Sequence, residues 1–324
     1  MRRLPMGIYI LYNLVQVAFV LCLSPLFAGV LARGKEIVQS KRGPSIFQPY
    51  RDLRKLFAKD EAVSNDATWI FRVAPYIVFI TPVFVTLLIP VLTSYPLFFA
   101  FAGDMLAAGS ILAFGGFFAA LAAIDTTNPY GPMGASRTRM VSFLVEPIFM
   151  IVFFTVSLVA GSTIPYIVQQ QWITPPAVFF APDHILLLLA FFMIILAETG
   201  RIPVDNPSGH FELAMIDESK GLEYSGKGAA LMKWGGYMKM TVLMIVFLNV
   251  LLAPWGLAGN LDFGYLLLAI PLVSLKIFGF LLALIIVESS LAKLRLFRIS
   301  EFLGASFIIC VAAMIFQLFI GGAS

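Results

Sequence analysis

The sequence predicts an all-α integral membrane protein of about eight transmembrane helices, with one amphipathic helix lying along the cytoplasmic membrane surface. Composition is the first observation behind this. Of 324 residues, 60% are hydrophobic and only 12% charged, and the mean hydropathy is +0.93. A water-soluble domain has roughly a quarter of its residues charged, so a bilayer is the natural solvent here. The second observation is a recurrence of apolar stretches long enough to span hydrocarbon. The third is the way basic residues are distributed between those stretches.

A helix needs about 20 apolar residues to cross a bilayer. Such stretches occur at roughly 8–31, 71–92, 105–124, 141–161, 184–201, 238–257, 264–288 and 302–320, which gives the count of eight. The first follows Arg2 and Arg3, as in a signal peptide, but its apolar run continues for some 24 residues without a small-residue cleavage site and reads as a retained helix. Lys and Arg set the orientation, since cytoplasmic loops hold them in excess. The first loop has Arg33, Lys35, Lys41, Arg42, Arg51, Arg54, Lys55 and Lys59; the third, Arg137 and Arg139; the fifth, Lys220, Lys227, Lys233 and Lys239; the seventh, Lys293, Arg295 and Arg298. The second, fourth and sixth have none. Every basic loop thus falls on one side, and both termini are expected outside the cytoplasm of a prokaryotic inner membrane.

The chain reads as a single membrane domain, 1–324, with two long cytoplasmic loops at about 32–70 and 202–237. In the first, Gly43-Pro44 and Gln48-Pro49 punctuate the chain before Tyr50-Arg51-Asp52-Leu53-Arg54-Lys55-Leu56-Phe57. There Leu53, Leu56 and Phe57 recur at helical spacing, the pattern of a short surface helix whose basic face meets water, anionic lipid or a partner. The second loop mixes acidic and basic residues. That mixture suits a docking surface for a soluble partner better than lipid binding.

A charge near the bilayer centre costs at least ~3 kcal/mol on insertion scales, so it persists only when paired, hydrated or neutralised, and neutralising a carboxylate is proton uptake. Glu146 lies early in the fourth segment, Glu198 and Arg201 near the end of the fifth, Lys276 in the middle of the seventh and Glu288 at its end. Asp104 and Asp125 bracket the third. Glu198 and Arg201 stand one turn apart, and Asp205 follows Arg201 by four, with Pro203 expected to end or kink the helix there. A structural ion pair would account for Glu198 and Arg201, interhelical packing for Glu146 and Lys276, and an interfacial position for the aspartates. The alternative is a proton or ion path through hydrated cavities.

Metal and thiol chemistry has little support. Cys22 and Cys310 lie alone at opposite ends of the chain, and His184 and His210 are far apart. An iron–sulfur cluster needs about four thiolates and a zinc site about four close ligands. Any redox chemistry is therefore expected in other chains.

Two runs carry a resemblance. The first is Lys41-Arg42-Gly43-Pro44 with Gln48 to Phe57; the second is Glu198-Thr199-Gly200-Arg201-Ile202-Pro203-Val204-Asp205, leading to Glu212-Leu213 and Glu223-Tyr224-Ser225-Gly226. Together with Asp125-Thr126, Gly134-Ala135-Ser136-Arg137, Leu144-Val145-Glu146-Pro147, Lys276 and Glu288, they resemble the complex I subunit 1 family along essentially the whole chain. That family supplies the quinone-chamber membrane subunit of NADH:quinone oxidoreductase. The wording is closer to the membrane subunit of formate hydrogenlyase and hydrogenase-4 type energy-converting hydrogenases. Gly200, Ile202 and Val204 replace the Asn, Ala and Phe of the respiratory branch, and Ser208 and His210 stand where that branch has acids, so that Glu212 alone is carried over.

The resemblance implies a membrane subunit of an energy-converting [NiFe] hydrogenase complex, with no catalytic residue and no cofactor of its own. Nickel–iron and iron–sulfur centres are expected in partners: the hydrogenase large and small subunits, an iron–sulfur subunit and antiporter-like membrane subunits. Arg42, Arg51, Asp52 and Lys55 would contact the peripheral arm; Glu198, Arg201, Asp205 and Glu212 would sense the redox event. Glu146, Glu288 and Lys276, with Asp125, would belong to the proton or ion path. The alternative is a quinone-binding subunit of a complex I-like respiratory enzyme. A stand-alone secondary transporter should show internal repeats, which the sequence lacks, and a nucleic-acid partner is not expected.

Overall fold

The computed structural model describes residues 6–64, 66–95, 103–126, 128–173, 181–205, 216–259 and 263–320. They form ten α-helices: α1 (Met6–Val38), α2 (Gln48–Phe57), α3 (Trp69–Leu88), α4 (Met105–Ile124), α5 (Tyr130–Ala160), α6 (Pro165–Ile173), α7 (Pro182–Glu198), α8 (Gly226–Ile245), α9 (Phe263–Ser290) and α10 (Leu296–Ile320). α8 continues as a π-helical segment, Val246–Leu252. Among the described residues the one β feature is an isolated bridge between Thr93 and Ala258.

Seven of these helices are long and apolar enough to cross a membrane: α1, α3, α4, α5, α8 with its π-helical extension, α9 and α10. α7 has 17 residues, at the lower limit for a crossing, and would bring the number to the expected eight. Several helices outrun their apolar stretch. α5 starts at Tyr130, not near 141, and α8 at Gly226, not near 238, because apolarity marks only the part of a helix in hydrocarbon. α6 was not foreseen; its nine residues are too few for a span, yet Tyr166, Val168 and Gln169 are buried.

Loop contacts fall into two sets. On one side Met105 N–H donates to Thr163 O at 3.1 Å, Gln169 Nε2 donates to Pro254 O at 2.7 Å, and Thr93 bridges Ala258. These join the second, fourth and sixth loops. On the other, basic side Thr68 donates to the Asp125 carboxylate and Lys293 pairs with Asp205. Each set of contacts joins loops of its own kind.

Lipid offers no hydrophobic drive for helices to associate, so close packing must hold them. A file of rings does much of this: centroids lie 4.5 Å apart for Phe149–Phe153, 5.6 Å for Phe153–Phe191, 6.1 Å for Phe191–Phe247 and 5.1 Å for Phe247–Phe280, tying α5, α7, α8 and α9 together. α2 is the expected amphipathic surface helix. It begins at Gln48-Pro49, where a proline's missing N–H costs nothing, buries Leu53, and packs on α1 and α8 while Arg51, Arg54 and Lys55 stay exposed.

The segment before α2 crosses α1 at Gly29, where an added Cβ would sit 2.0 Å from the carbonyl oxygen of Ile46. Backbone cannot yield as a side chain does. Gly29→Ala is expected to cost about 1–3 kcal/mol and to lower the melting temperature in detergent by several degrees, read by scanning fluorimetry. An unchanged melting temperature would contradict the crossing.

Candidate functional site

The site is built where α7 ends on the basic side. Gly200 has φ +58°, and from it Arg201 N–H reaches Leu196 O at 2.9 Å while Gly200 N–H reaches Ala197 O at 3.2 Å. This 6→1 and 5→2 pair is a Schellman cap, which a glycine accepts without strain. Gly200, not Pro203, therefore ends the helix. The consequence corrects a spacing argument: Glu198 stays on α7, Arg201 is turned away from it, and the two do not pair.

Arg201 belongs instead to a buried triad. Glu288, on α9 with its side chain 0% exposed, pairs with Lys35 of α1 and lies 3.8 Å from Arg201 Nη1. Arg201 also donates to Met240 Sδ of α8 at 3.1 Å. Three segments distant in sequence thus meet on one carboxylate. An ion group of this kind contributes little net stability, but removing one member leaves uncompensated buried charge.

Glu198 pairs with Lys239 of α8 at 2.5 Å. Beside them Glu146 of α5 is 40% exposed and lies 3.9 Å from Arg139, two turns earlier on the same helix, whose guanidinium also sits 5.3 Å from the Phe117 ring. Between α4, α5, α7 and α8 is a cavity of roughly 190 Å³, with Glu146, Glu198, Lys239 and Ser110 among apolar walls such as Leu106, Phe149 and Leu243. A smaller cavity of roughly 30 Å³ shares Glu146, Glu198 and Lys239 and continues to Asp205, Asp217 and Lys220. Polar groups on facing walls are what ordered water needs.

At the far end of that smaller cavity Asp205 is buried. It accepts from Ile216 N–H at 3.1 Å, Asp217 N–H at 3.0 Å and Lys293 Nζ at 2.6 Å. Asp217 pairs with Lys220 at 2.5 Å. Partial burial opposes ionisation of Asp217, but the Lys220 ammonium outweighs it, with Lys239 and Arg201 behind, and holds the carboxyl below the usual carboxylate range. Ammonium groups thus face the carboxylates at this part of the cavity.

The other expected residues lie elsewhere. Asp125 ties the end of α4 to the start of α3, accepting from Thr68 N and Oγ1 at 2.8 Å and from Phe71 N at 3.3 Å. Arg42, Arg51 and Lys55 are exposed on the basic side, and Asp52 accepts from Gln48 Nε2 at 2.8 Å. Glu212, like His210, lies outside the described residues. Lys276 is twelve residues from Glu288 along α9, about 18 Å at 1.5 Å per residue. Its ammonium donates to Ala253 O at 2.7 Å, Asn249 Oδ1 at 3.3 Å and Trp255 O, capping the carbonyl end of the π-helical segment. Lys276→Met is expected to lower stability by about 1.5–3 kcal/mol through loss of charge-assisted hydrogen bonds, measured as melting temperature in detergent; no loss would contradict the cap.

Sequence reasoning found Arg201 but missed three lysines of the site. Lys35, Lys239 and Lys293 had been explained by the loop-charge rule, which asks nothing about their partners. A usable signal existed for Lys239 alone, because it falls at the start of the apolar stretch 238–257.

An all-helical bundle with ion pairs around cavities at the end of a broken helix defines a multi-pass membrane protein built to hold charge inside. A family profile described as "NADH dehydrogenase" matches residues 11–321, and the chain belongs to that family. It is 32% identical to "Hydrogenase-4 component C" of Escherichia coli (strain K12) over 317 residues, 96% of this chain and 97% of that one. It is also 32% identical to "Formate hydrogenlyase subunit 4" of the same organism over 289 residues, covering 89% and 92%. Among solved structures, a chain of the membrane-bound sulfane sulfur reductase, an archaeal respiratory membrane complex, superposes with a TM-score of 0.82 over 95% of this chain and 98% of its own, at 19% identity. The fold is shared along nearly the whole chain.

Proposed function

We propose that this chain is the membrane subunit of a formate hydrogenlyase-like, energy-converting [NiFe] hydrogenase, docking a soluble redox arm and coupling its electron transfer to proton or sodium movement. The similarity to the two Escherichia coli proteins over nearly the whole chain supports the assignment. The observation that carries the coupling role is the pair of cavities joined at Glu146, Glu198 and Lys239. Charged groups at membrane depth that face cavity space, not each other alone, suit a path for protons.

In this reading the basic side faces the cytoplasm and both termini face away from it, following the distribution of Lys and Arg. Exposed Arg42, Arg51 and Lys55 on and before α2 would meet the hydrogenase large and small subunits and an iron–sulfur subunit. Asp205 and Asp217 lie nearest that face and would take up protons. Glu146, at the outer face of α5, would deliver them towards antiporter-like subunits.

No redox step is assigned to this chain. The larger cavity, roughly 190 Å³, has room for several ordered waters beside its polar groups. Nickel–iron and iron–sulfur chemistry would belong to the docked subunits.

The test is affinity purification of the tagged chain in mild detergent, identification of its companions by mass spectrometry, and assay of hydrogen production and quinone reduction. Nickel–iron and iron–sulfur subunits with hydrogen evolution are expected. An assembly that reduces quinone and makes no hydrogen would move the chain to the respiratory reading.

A further inference from the structure

Lys239 stands where the two cavities meet. Its side chain, 25% exposed, lines both, as do Glu198 and Glu146. The next residue on α8, Met240, faces Arg201 and the buried triad. One step along α8, about 100° around the helix, thus separates the triad side from the cavity side, and Lys239 lines the cavities. α8 has further anchors besides this ion pair: Trp234 Nε1 donates to Leu21 O at 3.1 Å, and Phe247 packs against Phe280. Four methylenes give the ammonium reach and rotational freedom. Below it the helix widens into the π-helical segment Val246–Leu252, a form concentrated at functional sites.

We propose that Lys239 passes protons between Glu198 and Glu146, a role that rests on the coupling function proposed above. The Lys239 ammonium gives one proton to the Glu146 carboxylate, leaving a neutral amine and a carboxylic acid. The amine then takes a proton from a Glu198 carboxyl that was protonated from the Asp205 and Asp217 side. One proton has moved from Glu198 to Glu146; Lys239 is again an ammonium and Glu198 again a carboxylate. Arg139 at 3.9 Å favours return of Glu146 to its charged form once the proton leaves at the face of α5. A permanent ion pair between Lys239 and Glu198 would need only the positive charge, whereas this relay needs a cation that can lose its proton.

Arginine separates the two, because it keeps the charge and does not deprotonate in proteins. The experiment uses the whole complex in inverted membrane vesicles and reads protons taken up per turnover, with co-purification of partner subunits as the measure of assembly. Lys239→Arg is expected to assemble and to lower the proton ratio at least about tenfold. A ratio equal to the unmodified complex overturns the proposal. Should Lys239→Arg fail to assemble, Lys239→Cys in a Cys22→Ser background is treated with 2-aminoethyl or 2-(trimethylammonio)ethyl methanethiosulfonate. Recovery with the titratable amine alone is expected, and equal recovery with the fixed charge overturns the proposal. Glu198→Gln and Glu146→Gln are measured alongside. If they lose proton uptake while Lys239→Arg keeps it, the lysine relay fails and the coupling reading stands; if all three keep it, both fail.

Discussion

Glu288→Ala is expected to destabilise the protein by about 3–5 kcal/mol, the largest stability effect of any single substitution considered. The carboxylate is fully buried and is shared by Lys35 and Arg201, which approach it from α1 and from the turn after α7. Taking it away leaves two cations facing each other without a counter-charge at membrane depth, where water cannot screen them. The loss should appear as a drop in melting temperature in detergent and as poor accumulation in the membrane. The double variant Lys35→Met/Glu288→Gln is expected to be more stable than Glu288→Ala, since one cation then lacks a partner in place of two. Equal stability of Glu288→Ala and the unmodified protein would mean that the three groups do not meet as described.

Glu198→Gln is expected to reduce protons moved per turnover by about tenfold or more. An amide accepts hydrogen bonds in the same place but cannot carry the proton. It also leaves the Lys239 ammonium, 2.5 Å away in the native pair, without its counter-charge, so some loss of stability accompanies the loss of coupling. The two effects are read separately by measuring proton uptake relative to turnover in the same vesicles. Glu146→Gln should lower the same ratio with a smaller cost in stability, because Glu146 is 40% exposed and its contact with Arg139 is loose at 3.9 Å. A normal ratio in both variants would remove these cavities from the path.

Much of the architecture was legible in the sequence because the bilayer imposes it. A minimum length of apolar chain and a rule for basic residues gave the crossings and their alternation, and each set of loop contacts joins loops of its own kind. What escaped was mostly partnership. Lys35 and Glu288 belong to α1 and α9, and nothing local to either names the other. Glu198 and Arg201 looked like partners at helical spacing until Gly200 turned the chain between them. Lys276 looked isolated because its oxygens are mainly backbone carbonyls, which a reading of side chains does not display. α6 was too short for any test based on membrane thickness.

The most direct test of coupling is made on the native complex. Inverted membrane vesicles that contain it are supplied with the electron donor of the docked redox arm, and internal pH is followed by quenching of an amine dye. The account predicts acidification that tracks turnover, collapses with a protonophore and is lost in Glu198→Gln. Full turnover with no acidification and no sodium uptake would contradict it.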